Sequence, residues 1–175
     1  MLSDLGMAAL FTLVGFVLAG LSLLGAAYAV FAAVLVGRFM KADVKAAKAH
    51  PPVTILKPLY RCEPGLFEHL ESFCRQNYDG AVQIVFGLHD ESDPAIDVVR
   101  ALQAKYPHID TAMVADTAQH GANAKVSNLI NIMTVARHDT LVLADSDIAV
   151  QPQWLTPVVA ALQRPGVGIV TCLYT

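Results

Sequence analysis

The sequence predicts an α/β fold, with an N-terminal transmembrane helix followed by a domain built on a mostly parallel sheet. Three observations predict it. Leu5 to Gly37 contains no charged residue, short apolar runs follow from Val53 onward, and these runs alternate with stretches of helical spacing. Strands that alternate with helices indicate βαβ units, and continuous apolar strands indicate a sheet that is covered on both faces.

The uncharged N-terminal run is long enough to cross a membrane. At about 1.5 Å per residue it exceeds the hydrocarbon core of roughly 30 Å. The only side-chain charge before it is Asp4, whereas a cleavable signal has a positive start and a shorter apolar stretch. Residues 1–40 are therefore predicted to form an uncleaved anchor.

The charges after this run predict its orientation. Arg38, Lys41, Lys45 and Lys48 follow the span directly, and cytoplasmic loops carry an excess of such residues. We expect a single pass with the N-terminus outside and the following domain in the cytoplasm. Residues 41–52 form a connector, with a helix from Lys41 to His50 that Pro51 and Pro52 end.

The domain, residues 53–175, divides into alternating elements. The predicted strands are Val53–Leu56, Val82–Leu88, Thr111–Val114, Leu141–Ala144 and Val167–Cys172, and the predicted helices are Gly65–Gln76, Pro94–Lys105, Lys125–Arg137 and Pro152–Gln163. Lys57 and Pro58 stop the first strand. Asp93 or Ser92 caps the second of these helices, because proline suits the first helical position.

Two of the helices show an apolar face at helical spacing. Leu66, Leu70, Phe73 and Cys74 share one face of the first helix of the domain, and Val126, Leu129, Ile130 and Met133 share one face of the third. Ligands of parallel sheets bind beyond the carboxyl ends of the strands, so residues that directly follow strands are the first candidates for a site.

Composition excludes few functions. The formal net charge is −3, which gives no electrostatic reason to expect nucleic acid as a partner. The three cysteines Cys62, Cys74 and Cys172 are odd in number and lie far apart, without zinc-ligand spacing. We expect reduced thiols in a cytosolic domain.

Asp145-Ser146-Asp147 follows the predicted strand Leu141–Ala144. Two carboxylates at this spacing can share one divalent cation, Mg²⁺ or Mn²⁺, which prefers oxygen ligands and commonly bridges substrate phosphates. The alternative is a simple turn, because Asp and Ser are common in turns.

Two further polar segments occupy similar places. His89 to Asp93 follows the strand Val82–Leu88, and a carboxylate there could bind a nucleoside or form only a helix cap. Lys125 and Asn128 share one face at the start of a helix, where free N–H groups and a lysine attract an anion. An ordinary helix start with a surface lysine is the alternative.

Five segments in this order resemble the ceramide glucosyltransferase family, within the inverting GT-A glycosyltransferases, and especially its bacterial branch of hopanoid-biosynthesis glycosyltransferases. The segments are Val53–Leu59, Gln76–Tyr78, Asp93–Asp97, Asn123–Leu129 and Asp145–Asp147. Lys125–Asn131 and Gly168–Tyr174 add to the resemblance, which extends from Pro52 to the end of the chain.

The resemblance implies a partial GT-A, Rossmann-like domain that binds a nucleotide sugar. It implies transfer of glucose or N-acetylglucosamine from a UDP-sugar to a hydroxyl of a membrane lipid, hopanoid or ceramide-like, at the inner (cell) membrane. The positions matching the family's nucleotide-sugar contacts are Lys57, Pro58, Glu63, Asp90 with Asp93 as its rival, Lys125, Asn128 and Asp145. Asp145 and Asp147 match the metal position.

One family feature has no match in this sequence. The family's third aspartate, its expected general base, is followed by a Gln/Arg-x-x-Arg-Trp motif, and neither is present. We expect the base beyond residue 175 of a longer protein, or else a fragment that binds the donor without transferring it. A remote alternative is a phosphatase of the haloacid dehalogenase type, because a strand followed by Asp-x-Asp also resembles its nucleophile motif.

Overall fold

The computed structural model describes residues 2–40 and 49–172 of the chain, as two compact units. The first unit contains the helix α1, Leu2–Met40. Within it, Gly6–Phe39 is long and apolar enough to cross a membrane, judged by length and composition. Most of the predicted connector, residues 41–48, lies outside the described residues, and Ala49 and His50 are not helical.

The second unit alternates strands and helices as predicted. Its elements are β1 Val53–Pro58, α2 Leu66–Cys74, β2 Val82–Leu88, α3 Ala95–Lys105, β3 Asp110–Ala115, α4 Ala124–Met133, β4 Thr140–Leu143 and α5 Leu155–Leu162. The helices are shorter than predicted. For example, α4 ends at Met133 because the Thr134 hydroxyl and N–H both donate to the Asn131 carbonyl and close a turn.

The four strands form a parallel sheet in the order β3-β2-β1-β4, which confirms the predicted α/β architecture. Ile55 of β1 lies opposite Ile84 of β2 and Val142 of β4. These three side chains are buried in the main core together with Phe73 of α2 and Leu155 of α5. The helices α2, α3 and α5 therefore cover one face of the sheet.

The helix α4 covers the other face, over β1 and β2. A small cluster of Leu56, Val85 and Ile132 lies under it. Its most buried side chains also include Ser127, Asn128 and Asn131, whereas Val126 and Met133 are each 49 % exposed. The apolar face identified in the sequence is thus mostly turned outward, because polar side chains of α4 bind the loops at the strand ends.

The prediction of a fifth strand at Val167–Cys172 is wrong. This segment is irregular, and Ile169 is 83 % exposed. A strand needs a neighbour to bond its backbone groups. Instead, the Val167 N–H donates to the Arg164 carbonyl in a turn, which Gly166 permits with a φ of 80°.

Candidate active site

The sheet order creates a crevice at the carboxyl ends of β1 and β4. From β1 the chain proceeds through β2 to β3 on one side, and β4 lies on the other side of β1. The loops that follow β1 and β4 therefore diverge, and open α/β sheets bind ligands at such a point. A cavity of about 420 Å³ lies there. It is lined by Pro58, Leu59, Tyr60, Glu63, His89, Ala124, Lys125, Asn128, Asp145, Ser146 and Asp147.

The loop after β4, Asp145–Asp147, contributes both of its carboxylates to this cavity. The last ladder bond of β4 runs from the Ala144 N–H to the Leu56 carbonyl, 3.2 Å, and the acidic residues follow at once. Asp147 is exposed and Asp145 is partly exposed. Asp145 and Asp147, the two residues predicted to bind a cation, are thus both at the wall of the cavity.

The two carboxylates of this loop suit a cation that also binds oxygen atoms of a bound ligand. In the described part of the chain, no three His, Cys, Asp or Glu side chains are grouped closely enough to hold a metal. Mg²⁺ usually binds one or two carboxylates and completes its shell with waters and substrate phosphates. Two carboxylates at the wall of an open cavity meet that requirement.

Lys125 lies against the acidic loop although 20 residues separate it from Asp145. Its Nζ is 2.5 Å from Asp145 Oδ1, and both side chains are about half exposed. The helix α4 begins just before it, where Asn123 Oδ1 accepts from the Val126 N–H at 3.2 Å. Lys125 and the start of α4 therefore face the cavity as the anion-binding hypothesis requires.

Glu63 also lines the cavity. Its Oε2 accepts a hydrogen bond from Ser146 Oγ at 2.9 Å, which joins the loop after β1 to the acidic loop. Pro58, the last residue of β1, lines the same cavity. The structure thus brings these two predicted residues to the site.

Asn128 lines the cavity, but its amide group holds the scaffold. Nδ2 donates to the Gly87 carbonyl at 3.0 Å and to the Leu59 carbonyl at 3.4 Å. The side chain is buried. This residue ties α4 to the ends of β1 and β2.

Asp93 is buried, and its carboxylate accepts hydrogen bonds from two backbone N–H groups. Its Oδ2 accepts from the Arg61 N–H and its Oδ1 from the Ala95 N–H, both at 2.9 Å. The first bond holds Arg61, whose φ is 61°, and the second caps the start of α3. Asp93 is not among the residues that line the cavity, and its contacts favour the cap that the sequence allowed.

Asp90 is exposed and also does not line the cavity. Its Oδ1 accepts from the Ser92 hydroxyl at 2.5 Å and from the Ser92 N–H at 2.7 Å. These bonds hold the pKa of Asp90 below its usual value. Its neighbour His89 lines the cavity instead.

Lys57 differs most from its predicted place. The side chain is fully buried, with Nζ 4.0 Å from the centre of the Phe73 ring. Nζ donates to the main-chain carbonyl of Asp145. Burial lowers the pKa of Lys57 to about 7, although the charges of Asp145 and Asp147 raise it. Lys57 therefore contacts the acidic loop from within the core and not from the cavity.

Tyr60 and His89 line the cavity but were not singled out as site residues from the sequence. Tyr60 is 59 % exposed and offers an aromatic face. His89 lies directly after the predicted strand Val82–Leu88, and Tyr60 lies in the loop that follows the first predicted strand. That position after a strand was the available signal for them.

The chain is similar to known glycosyltransferases in sequence and in fold. The family described as glycosyl transferase family 21 matches residues 17–175. Ceramide glucosyltransferase 1 of Caenorhabditis elegans is 33 % identical over 102 residues, 58 % of this chain and 22 % of that protein. Ceramide glucosyltransferase of Komagataella phaffii is 33 % identical over 116 residues, 64 % of this chain and 23 % of that protein.

A solved mannosyltransferase of Pyrobaculum calidifontis, in complex with GDP-Man and Mn²⁺, has the same kind of fold. The TM-score is 0.61 at 24 % identity, over 79 % of this chain and 41 % of that one. The chain spans less than a quarter of the length of each of the two ceramide glucosyltransferases. Because the family match covers most of the chain, the protein belongs to glycosyl transferase family 21.

Proposed function

We propose that this chain forms the donor-binding part of a membrane-anchored hexosyltransferase that uses a UDP-sugar. The observation that carries the proposal is the meeting of Asp145, Asp147 and Lys125 in one cavity at the switch point of the sheet. The fold and family likenesses support it, since the matched relatives are named ceramide glucosyltransferases. The proposed acceptor is a hydroxyl group of a membrane lipid, ceramide-like or hopanoid, and the sugar is glucose or N-acetylglucosamine.

The acidic loop, the start of α4 and the loop after β1 each have a proposed part. Asp145 and Asp147 would hold a divalent cation, Mg²⁺ or Mn²⁺, which supplies positive charge to a leaving diphosphate. Lys125 and the first N–H groups of α4 bind phosphate oxygens, because a lysine and a helix start both attract anions. Tyr60 and Pro58 offer apolar surface to the nucleoside.

The test is binding of UDP and Mn²⁺ to the full chain in detergent, by titration calorimetry. We expect UDP binding that requires the metal, and its loss in Asp145→Asn, because this change removes an anionic oxygen ligand. Asp139→Asn is a suitable control, since this acidic residue lies before β4 and does not line the cavity. Unchanged affinity for UDP and Mn²⁺ in a folded Asp145→Asn variant would refute the site.

The same site allows donor binding without transfer, which remains the second candidate. Asp145→Asn has the same effect on binding in both cases. Incubation of the chain with a UDP-hexose and lipid vesicles separates them, because only a transferase produces a glycosylated lipid. The family match favours a transferase over the phosphatase alternative.

A further inference from the structure

Lys57 is the largest fully buried side chain of the described residues, and it is charged at low pH. Charged side chains are almost never fully buried unless they are paired, since transfer of an ion from water costs several kcal/mol. Lys57 lies in β1 opposite Phe86 of β2, within the apolar core. A methionine or leucine would fill this place without that cost, so the lysine calls for a function.

The ammonium group of Lys57 is hydrogen-bonded to the acidic loop. Nζ donates to the main-chain carbonyl of Asp145, and the face of the Phe73 ring lies on another side at 4.0 Å. A cation over an aromatic ring is attracted by it, which offsets part of the burial. The carboxylates of Asp145 and Asp147 are near enough to act on the charge of Lys57.

The carbonyl that Lys57 holds belongs to the first residue of the loop. Other main-chain bonds near this segment lie on either side of it, at Ala144, whose N–H donates to the Leu56 carbonyl, and at Val150, whose N–H donates to Ser72 Oγ at 3.1 Å. Inside the loop, the bonds of Asp145 to Lys125 and of Ser146 to Glu63 are made by side chains at the cavity. Lys57 thus holds the peptide group between Asp145 and Ser146, directly after the Asp145 side chain and one residue before Asp147. Its charge also lowers the repulsion between two carboxylates two residues apart.

We propose that Lys57 is a positioning residue, which holds the Asp145–Asp147 loop from inside the core in the conformation that binds a cation and a diphosphate. The proposal rests on the proposed function for the ligands, and on the contacts of Lys57 alone for the positioning. Lys57 does not touch the donor, since its side chain has no exposed surface.

Lys57→Met separates positioning from general stabilisation. The variant removes the cost of burying a charge together with one hydrogen bond, and because these two effects oppose each other the melting temperature should change little. The loop, however, loses the hydrogen bond from its main chain to Lys57 in the core. We expect Mn²⁺ affinity to fall about tenfold or more, as it does when residues that orient metal ligands are replaced. Amide hydrogen exchange at residues 145–149 should become faster.

Thr54→Val is the matched control. Thr54 lies in the same strand and is also buried and polar, but its hydroxyl binds Gln83 Oε1 and the His138 N–H, at the opposite end of the sheet. This variant should lose stability and keep its affinity for Mn²⁺. Lys57→Gln is the second variant, since it removes the charge with a polar side chain and should weaken Mn²⁺ binding as Lys57→Met does.

The full chain in detergent is examined by hydrogen exchange, by Mn²⁺ titration in electron paramagnetic resonance and by UDP calorimetry. The proposal is supported if the Lys57 variants show faster exchange in the loop and weaker Mn²⁺ binding while Thr54→Val shows neither. Unchanged exchange and affinity overturn it, and so does loss of folding in both variants. If the natural chain binds neither Mn²⁺ nor UDP, the proposed function fails, while loop exchange still decides whether Lys57 positions the loop.

Discussion

Lys125, Asn128 and Lys57 all carry nitrogen donors near the acidic loop, but they differ in what those donors contact. Lys125 is half exposed and meets a carboxylate in the cavity. Asn128 is engaged by two strand-end carbonyls, and Lys57 by a main-chain carbonyl of the loop. Burial therefore separates Lys125, the proposed ligand-binding residue, from two residues that are hydrogen-bonded to main-chain carbonyls of the scaffold.

The ion pair between Lys125 and Asp145 makes one prediction at this scale. A cation bound to Asp145 must lie close to the Lys125 ammonium group, and the two positive charges repel each other. Once a cation has taken the place of Lys125 at Asp145, the ammonium group can bind a phosphate. In Lys125→Met we expect Mn²⁺ affinity without nucleotide to rise by up to about fivefold, because a half-exposed pair contributes at most about 1 kcal/mol.

Affinity for UDP in the presence of Mn²⁺ should fall roughly tenfold in the same variant, since a charge-assisted hydrogen bond is lost. Titration calorimetry with each ligand measures both changes. Arg137→Met is the control, because it removes an exposed ion pair with Asp110 outside the cavity. Equal losses of affinity for Mn²⁺ and UDP in Lys125→Met would contradict this account.

Among the elements, the contact between α4 and β2 decides how the site is assembled. Gly87 lies in β2, and a Cβ atom there would come within 2.1 Å of Asn128 Oδ1 and 2.4 Å of Ile132 Cγ2. The absence of a side chain at Gly87 therefore lets α4 approach the sheet. This approach allows Asn128 to reach the carbonyls of Gly87 and Leu59.

Gly87→Ala should destabilise the domain by about 1–3 kcal/mol, because it overpacks this contact. It should also weaken UDP binding, since α4 carries Lys125. Gly121→Ala is the control, as a Cβ atom there meets nothing within 4 Å. Thermal unfolding in detergent measures the difference, and equal melting temperatures of the two variants would contradict the packing argument.

The mistaken fifth strand shows the limit of periodicity at the element scale. Val167–Cys172 has the apolar composition of a strand, as β4 does. The two segments differ in whether a strand lies beside them, because β4 pairs with β1 and the later segment pairs with none of the described strands. Hydrogen-bond partners of a strand are distant in sequence, so composition alone does not reveal them.

For the whole molecule, the apolar helix α1 is the feature that bears on location, because its length and composition would allow it to cross a membrane. Such a helix and the proposed nucleotide-sugar site together suit chemistry at a membrane surface. The predicted orientation, with the N-terminus outside, rests on Arg38 and the three lysines after it.

A thiol-labelling experiment tests this orientation. Cys62 is exposed, whereas burial raises the pKa of Cys74 to about 11, so that its reactive thiolate is scarce near pH 8. A membrane-impermeant maleimide should label Cys62 and the exposed Cys172 only after lysis of spheroplasts. Ser3→Cys, before the span, should be labelled in intact spheroplasts. The reverse pattern would show the opposite orientation.

The sequence alone determined the apolar span, the alternation of strands and helices up to α5, and the positions of Asp145 and Asp147 after a strand and of Lys125 at a helix start. Each depends on local spacing or on a position directly after a strand. Only the tertiary structure decided that Lys57, Asn128 and Asp93 hold loops from buried positions, that Tyr60 and His89 line the cavity, and that Val167–Cys172 is no strand. These outcomes depend on burial and on partners that are distant in sequence. Lys57 and Asp145, for example, are 88 positions apart.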